Sequence, residues 1–197
     1  MTTASTVHST LIGALWPSRD PAVLRWILLM AAGSLFIAAC AQIAVPLQPV
    51  PITMQTFAIL TIGAAYGWRL GAATVAAYLL EGAIGLPVFA EFKSGLPVLF
   101  GPTGGYLFGF VVAAAMVGWL AEQGWDRNIL KTAIAMLAGN ALIYVPGLVV
   151  LAAFVGGDKV LESGLTPFLV GDALKLVLAA CLLPLAWRII GHGRPKI

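Results

Sequence analysis

The sequence predicts an all-α integral membrane protein, a single bundle of six transmembrane helices with cytoplasmic N- and C-termini. Of its 197 residues, 60 % are hydrophobic and only 10 % are charged, whereas soluble domains carry about 25 % charged residues. The mean hydropathy is +0.98. The apolar runs are continuous and do not alternate, which favours helices over a β-barrel.

Six runs approach the length of about 20 residues that a bilayer-crossing helix needs. The predicted spans are 23–45, 55–68, 70–89, 104–121, 130–155 and 167–190. The second run is short and is expected to begin near Ile52. Only GWRLG separates it from the third, which predicts a tight antiparallel hairpin. Residues 1–22 are then expected to form a short cytoplasmic leader, 23–190 the six-helix transmembrane domain, and 191–197 a basic cytoplasmic tail.

The basic residues predict the orientation, because cytoplasmic loops are enriched in Lys and Arg. Of the 11 Lys and Arg residues, eight fall on the side of the termini, two on the other side, and Lys175 lies within the sixth span. The eight are Arg19, Arg25, Arg69, Arg127, Lys131, Arg188, Arg194 and Lys196, and the two are Lys93 and Lys159. This distribution predicts cytoplasmic termini and argues against a patch for nucleic acid.

Enzyme chemistry finds no support in the sequence. The two histidines, His8 and His192, lie near the chain ends, so no catalytic Ser-His or Cys-His pair forms within the spans. We find no metal-ligand spacing and no phosphate-binding loop, and we expect no cofactor. Cys40 and Cys181 lie in apolar runs and are expected to be buried free thiols.

The stretch VPLQPVPITMQT, between the first and second spans, contains prolines that break a helix. Non-helical backbone does not face lipid, so this segment must lie at the interface or line a cavity. Gln48 fits a stiff interfacial loop as well as a site. Gln55, at the start of the next helix, is the better candidate for a site residue.

The stretch GLPVFAEFKSGLPVLFGPTGGYLFGF contains Glu91 and Lys93 in a loop, and Gly104 and Gly105 at the start of the fourth span. The two glycines allow a ligand or another helix to approach the backbone, and a helix N-terminus favours an anionic group. Helix packing explains the glycines equally well. A solvated ion pair explains Glu91 and Lys93 equally well.

The stretch GDALK places Asp172 and Lys175 on one face of the sixth span. A charge in a span costs about 2.5–3.5 kcal/mol and normally faces the protein interior or a watery cavity. In a site, Lys175 would bind an anion and Asp172 would accept from N–H or O–H donors. Tyr106, Phe89 and Phe108 would then cover an apolar middle. As an alternative, the pair neutralises itself and only locks the fold.

Four stretches, VPITMQT, GAIGLPVFA, FGPTGGYLFGF and GDALK, resemble the BioY family, the biotin-specific substrate-binding subunits of energy-coupling factor (ECF) transporters. The resemblance implies an S component in the cytoplasmic membrane of a prokaryote that captures biotin near the outer surface. Its implied partners are a membrane coupling subunit and ATPase subunits. The biotin-binding residues it implies are Asp172, Lys175, Gln55, Tyr106, Gly104, Gly105, Glu91 and Lys93.

The chain departs from the family on the first helix. Family members usually carry an Ala-x-x-x-Ala step there that packs against the coupling subunit. This chain has Ser34 and Ala38, and Cys40 and Ala44, at that spacing, and we expect docking through these small residues. Two alternatives stay open, an S component for a different vitamin and a structural membrane protein with an Asp-Lys lock.

Overall fold

A computed structural model describes residues 10–16 and 22–192 of the chain. The remainder of the predicted leader, 1–9 and 17–21, and the tail residues 193–197 lie outside the described residues. The helices are α1 (Leu11–Leu15), α2 (Ala22–Gln42), α3 (Gln55–Tyr66), α4 (Trp68–Ala83), α5 (Leu96–Leu99), α6 (Gly104–Glu122), α7 (Ile129–Val155), α8 (Val160–Gly164) and α9 (Leu169–His192). Short 3₁₀ turns cover Ala90–Phe92, Trp125–Arg127 and Thr166–Phe168.

A small antiparallel hairpin connects α2 to α3. Its strands are β1 (Ala44–Val45) and β2 (Ile52–Thr53), with Ala44 opposite Thr53 and Val45 opposite Ile52. The proline-rich stretch is therefore an extended connection, as predicted from the helix-breaking effect of proline.

Each predicted span corresponds to a helix in the structure, and within the described residues four segments are long and apolar enough to cross a membrane. These four are Val23–Gln42, Gly104–Glu122, Ile129–Val155 and Val160–Ile190. Helices α3 and α4 have only 12 and 16 residues, so they rise about 18 and 24 Å. The prediction of a helical membrane protein is confirmed at this level.

Three predicted boundaries are wrong. Helix α2 ends at Gln42, because the chain turns into β1 before the prolines. Helix α3 begins at Gln55 rather than near Ile52, which belongs to β2. Helix α4 ends at Ala83 rather than at residue 89, because Gly85 adopts φ +105° and leaves the helical path.

Small residues bring α3 and α4 close to the central helix α6. A Cβ atom at Gly63 of α3 would lie 2.5 Å from the carbonyl oxygen of Ala114 on α6. Between α3 and α4, Gly67 makes the predicted tight turn at φ +83°, beside the Glu122 carboxylate at the end of α6. Helix α6 contacts α3, α4 and α7 and so forms the centre of the bundle.

The two ends of the bundle differ. One end carries the hairpin, the connection between α4 and α6, and α8. At the other end α1, within the predicted leader, buries Leu11 and Ala14 and packs against α3 and α9. Arg25 of α2 donates to the carbonyl oxygen of Ile12 at 3.2 Å. This part of the leader is therefore an ordered part of the fold.

Two expectations about small side chains need correction. Ser34, expected at a docking surface, is buried, and its hydroxyl donates to the Glu81 carboxylate of α4. The exposed side of α2 instead carries Ala31, Ala32 and Ala39. The second expectation concerns the two cysteine thiols. Cys40 is buried as expected, but Cys181 is exposed, since it lies on the outer face of α9.

Candidate functional site

A cavity of about 280 Å³ lies at the hairpin end of the bundle, enclosed by α3, α6, α7 and α9 and by two connections. Small-molecule sites typically measure about 300–1,000 Å³, so this volume suits a compact ligand. Its wall is mainly aromatic and aliphatic, with Phe89, Leu107, Phe110, Ile143 and Phe168 among the lining residues. We call it the outer cavity.

Helix α9 contributes the ion pair of the site. The Lys175 Nζ lies 2.9 Å from Asp172 Oδ1, and the two residues are only 8 % and 6 % exposed. Lys175 lines the outer cavity, whereas Asp172 is not among its lining residues. The three-residue step therefore does place both groups on one face, with the lysine towards the cavity and the carboxylate behind it.

Two further side chains hold Asp172 in place. Thr56 of α3 donates to Asp172 Oδ1 at 3.2 Å and accepts from Lys175 Nζ at 3.1 Å. The Tyr144 hydroxyl of α7 donates to Asp172 Oδ2. Both carboxylate oxygens are thus occupied, and the network joins α3, α7 and α9. Asp172 acts here as the counter-ion of Lys175, where the sequence predicted a free acceptor for the ligand.

Gln55 lines the cavity, and its amide is already used by protein partners. Its Nε2 donates to the Tyr78 hydroxyl at 2.8 Å, and its Oε1 accepts from Thr53 Oγ1 at 2.9 Å. Tyr78 in turn donates to the Val88 carbonyl oxygen at 3.0 Å. Gln55 therefore ties the hairpin to α4 and to the following loop.

Tyr106 presents its ring to the cavity, while its hydroxyl donates to the Gly164 carbonyl oxygen at 2.9 Å. The ring stacks on Phe168, with centroids 6.4 Å apart, and meets Tyr144 edge to face. These contacts make it a rigid part of the wall. Phe108, expected to cover the ligand, is 50 % exposed, because it is two residues further along α6 and so points to the opposite side.

Gly104 and Gly105 serve helix packing rather than the cavity wall. A Cβ atom at Gly104 would lie 1.9 Å from the Leu99 carbonyl oxygen, and one at Gly105 would lie 2.2 Å from that of Pro146. The Gly104 N–H also donates to the Gly101 carbonyl oxygen at 3.0 Å. Neither glycine lines the cavity, so their predicted contact with a ligand has no geometric support.

The loop after α4 covers part of the mouth of the cavity. Lys93 lines the cavity and is paired with Glu91, which does not line it. Glu91 and Phe92 both adopt positive φ, 59° and 58°, a conformation that costs non-glycine residues energy. The amide of Gln42, the last residue of α2, donates to the Phe89 carbonyl oxygen and accepts from the Phe92 N–H, each at 3.0 Å.

Sequence reasoning missed Thr56, Tyr144, Tyr78 and Gln42. One signal was available for Gln42 and Thr56, since both are polar residues near the ends of predicted spans, and Thr56 adjoins the candidate Gln55. Tyr144 and Tyr78 lie inside apolar runs, where a tyrosine gives no sign of its partner.

A mostly helical fold with four membrane-length segments among the described residues, together with an apolar cavity lined by a buried lysine, defines a multi-pass membrane protein. A family model described as "BioY family" matches residues 5–192, and the chain belongs to this family. The resemblance inferred from the four sequence stretches is thereby confirmed.

Several relatives carry matching names. The chain is 43 % identical over 143 residues to the biotin transporter BioY of Thermotoga maritima, covering 72 % of this chain and 83 % of the relative. It is 36 % identical over 152 residues to the biotin transporter BioY2 of Lactococcus lactis, covering 76 % and 83 %. These relatives are named as transporters and not as enzymes, in agreement with the sequence analysis.

A solved structure has the same fold. The crystal structure of the S-component for biotin from an ECF-type ABC transporter matches with a TM-score of 0.75 and 24 % sequence identity. The match covers 84 % of this chain and 92 % of the solved chain.

Proposed function

We propose that this protein is the S component of a biotin uptake system and binds biotin in the outer cavity. The observation that carries the proposal is the buried Lys175, which faces an otherwise largely apolar cavity of about 280 Å³. A buried cation without a ligand role would be a costly feature of a membrane bundle. The names of the relatives support biotin as the ligand.

The two lysines of the cavity differ in depth, and this difference orients the ligand. Lys175 is 8 % exposed, whereas the side chain of Lys93 is 53 % exposed at the mouth. Burying a carboxylate costs more than burying a neutral polar group. The uncharged ureido ring of biotin therefore enters first, with its oxygen accepting from Lys175 in place of Thr56 Oγ1, and the carboxylate stays near Lys93.

In this pose Asp172 pairs with the Lys175 ammonium group and orients it. It can accept from a ureido N–H when Thr56 or Tyr144 releases one of its oxygens. Phe89 and Phe168 then enclose the apolar part of the ligand. Gln55 and Tyr106 support the wall, and Glu91 holds Lys93 at the mouth.

Isothermal titration of the purified protein with biotin tests the proposal. Losing a charged partner in a desolvated site costs about 2–5 kcal/mol, so Lys175→Ala should weaken binding roughly thirty- to several-thousandfold. Lys159→Ala is the matched control, since Lys159 is exposed beside α8 and should leave affinity unchanged. Wild-type protein that gives no binding signal with biotin would refute the function.

The neutral amide of biotin tests the orientation. Wild-type protein should prefer biotin to the amide, and Lys93→Ala should lose this preference because the carboxylate lies near Lys93. Lys175→Ala should weaken both ligands equally. If Lys175→Ala alone removes the preference, the ligand lies the other way round.

The contacts of Asp172 favour one competing function, a purely structural lock. All its oxygens are used by Lys175, Thr56 and Tyr144, as a lock between helices requires. If the pair is only a structural lock, the Lys175→Ala protein should melt at a lower temperature than wild type but bind any ligand with normal affinity. The affinity measurement above distinguishes the two functions.

We further propose that all six long helices α2, α3, α4, α6, α7 and α9 cross the cytoplasmic membrane of a prokaryote, with both termini inside. The distribution of Lys and Arg supports this orientation, and it places the outer cavity on the external side. Accumulation of biotin then depends on a coupling subunit and ATPase subunits, because the chain contains no nucleotide-binding loop.

A further inference from the structure

A second, much smaller cavity lies directly beneath the outer one, between α3, α7 and α9. Its volume is about 10 Å³, close to the least that holds a single water molecule. Thr56 and Lys175 line both cavities and separate them, while Asn140 of α7 lines only the inner one. The rest of its wall is apolar, with Leu60 and Met136 among the lining residues.

Asn140 is the unexplained polar residue of this region. The residue is only 6 % exposed, and its Oδ1 atom has no hydrogen-bond partner among the described residues. An unsatisfied buried acceptor costs about 1–3 kcal/mol, so native proteins rarely retain one without a partner such as an ordered water.

Lys175 offers the complementary donor. Its ammonium group has three N–H donors, and the described residues accept two of them, through Asp172 Oδ1 at 2.9 Å and Thr56 Oγ1 at 3.1 Å. Thr56 Oγ1 donates to Asp172 and accepts from Lys175, so it has one lone pair left. The inner cavity thus brings together one unused donor and two unused acceptor sites.

We infer that the inner cavity is a binding site for one structural water, which joins Asn140 to Lys175. The water accepts from Lys175 Nζ and donates to Asn140 Oδ1 and to Thr56 Oγ1. With three hydrogen bonds it has the number typical of a buried water. Asn140 is therefore a positioning residue, which holds the ammonium group of Lys175 in place from the side opposite to the ligand.

The positioning role rests on the proposed biotin site, whereas the water site does not. An experimental structure at a resolution that shows ordered waters tests the water site directly. We expect a density peak within hydrogen-bonding distance of both Asn140 Oδ1 and Lys175 Nζ. An inner cavity without density would overturn the water site, whatever the protein binds outside.

Affinity measurements test the positioning role. Asn140→Leu fills the inner cavity and removes the acceptor, so it should weaken biotin binding by about tenfold, the effect of one lost hydrogen bond to a charged group. Asn140→Ser keeps an acceptor and leaves room for a second water, and it should stay within about threefold of wild type. If the leucine variant does not fold, Asn140→Val carries the same expectation.

A double-mutant cycle separates positioning from general structural damage. In a Lys175→Met background, Asn140→Leu should cause no further loss of affinity, because the group that the water positions is gone. If Asn140→Leu causes an equal tenfold loss in the wild-type and Lys175→Met backgrounds, or no loss in the wild-type background, the inference is overturned. Wild-type protein that does not bind biotin would refute the proposed function and leave the water site to be judged by its density.

Thr132→Val provides the matched control. Thr132 is a second buried polar residue of α7. Its hydroxyl bonds to the carbonyl oxygens of Trp125 and Asn128, and it lines neither cavity. This variant should lower the melting temperature without changing the affinity for biotin.

Discussion

At the residue scale, the lysine of the outer cavity is stabilised by several neighbours at once. Asp172, Thr56 and Tyr144 come from three helices, so each helix must be in place before the Asp172–Lys175 pair has all its protein partners. Networks of this kind specify one arrangement of a buried polar group, because a partly satisfied network is costly. The same contacts that prepare the site for a ligand therefore also hold α3, α7 and α9 together.

Asp126 is a second buried carboxyl group, in the connection between α6 and α7 at the opposite end. It is 2 % exposed and accepts from the Trp187 indole N–H of α9. Burial raises the pKa of Asp126 from its ordinary 3.8 to about 6, although the Trp187 hydrogen bond and Arg127 oppose the rise. Arg127 stacks over the Trp187 ring at 4.3 Å.

A raised pKa means that the folded protein binds this proton more tightly than the unfolded chain. The resulting stabilisation is full below pH 3.8 and is lost as the pH rises through about 6. We expect Asp126→Asn to melt at a higher temperature than wild type at pH 7.5 and to lose the dependence of melting temperature on pH between 5 and 7. Asp158→Asn, on an exposed residue, should behave as wild type. A lower melting temperature for Asp126→Asn at pH 7.5 would contradict this account.

At the element scale, the loop of residues 89–93 depends on α2. Its two residues with positive φ are held by the amide of Gln42, which bonds to the backbone on both sides of Glu91. In Gln42→Leu the leucine side chain has a size similar to that of glutamine, but it cannot make either of these two hydrogen bonds. We expect the variant to fold, and to bind biotin roughly three- to thirtyfold more weakly because Lys93 and Phe89 are no longer fixed at the mouth.

Fluorescence of a probe attached at Glu91→Cys would report the mobility of this loop in the same variant. Gln123→Leu is the control, since Gln123 also ends a long helix but bonds only to Trp119 of its own helix. Unchanged affinity and unchanged probe mobility in Gln42→Leu would show that the loop is stable without this residue.

Helix α2 illustrates what a sequence pattern can and cannot predict. The position of α2 follows from its apolar length, and small residues on it were expected. Which of them face outward depends on how α2 packs against α4, and the Ser34–Glu81 contact turns Ser34 inward. Likewise the Asp172–Lys175 pair follows from a three-residue helical step. Tyr144 is 28 residues from Asp172 in sequence and contacts it only because α7 packs against α9.

The corrected face leads to a prediction about coupling. Ala39 is exposed on α2, so Ala39→Trp should block biotin accumulation in cells that supply the coupling and ATPase subunits, while the purified protein binds biotin normally. Ser34→Trp should instead reduce folded protein, because it inserts a large side chain into a buried contact. Leu80→Trp, on an exposed residue of α4, serves as the control. Normal accumulation by Ala39→Trp would place the docking surface elsewhere.

At the scale of the whole molecule, the two ends of the bundle carry different structural features. The outer cavity, its loop and the hairpin lie at one end, whereas α1, the α3–α4 turn and the buried Asp126 lie at the other. The first turn of the short helix α3 carries Gln55 and Thr56, which line the outer cavity, so the cavity lies at the level of the N-terminal end of α3. The orientation of the chain therefore decides on which side of the membrane the cavity opens. A test of the orientation is also a test of the side from which the proposed ligand enters.

Cysteine labelling in intact cells tests this orientation. In a Cys40→Ala, Cys181→Ala background, a cysteine at Lys159 should react with a thiol reagent that does not cross the membrane, because α8 lies at the cavity end. A cysteine at Gln123, exposed at the opposite end, should stay unreacted until the cells are permeabilised, and both should then react equally. Biotin uptake by each variant confirms that the labelled protein is native. Reaction of the Gln123→Cys protein in intact cells would reverse the orientation, and the cavity would then open towards the cytoplasm, where it could not capture external biotin.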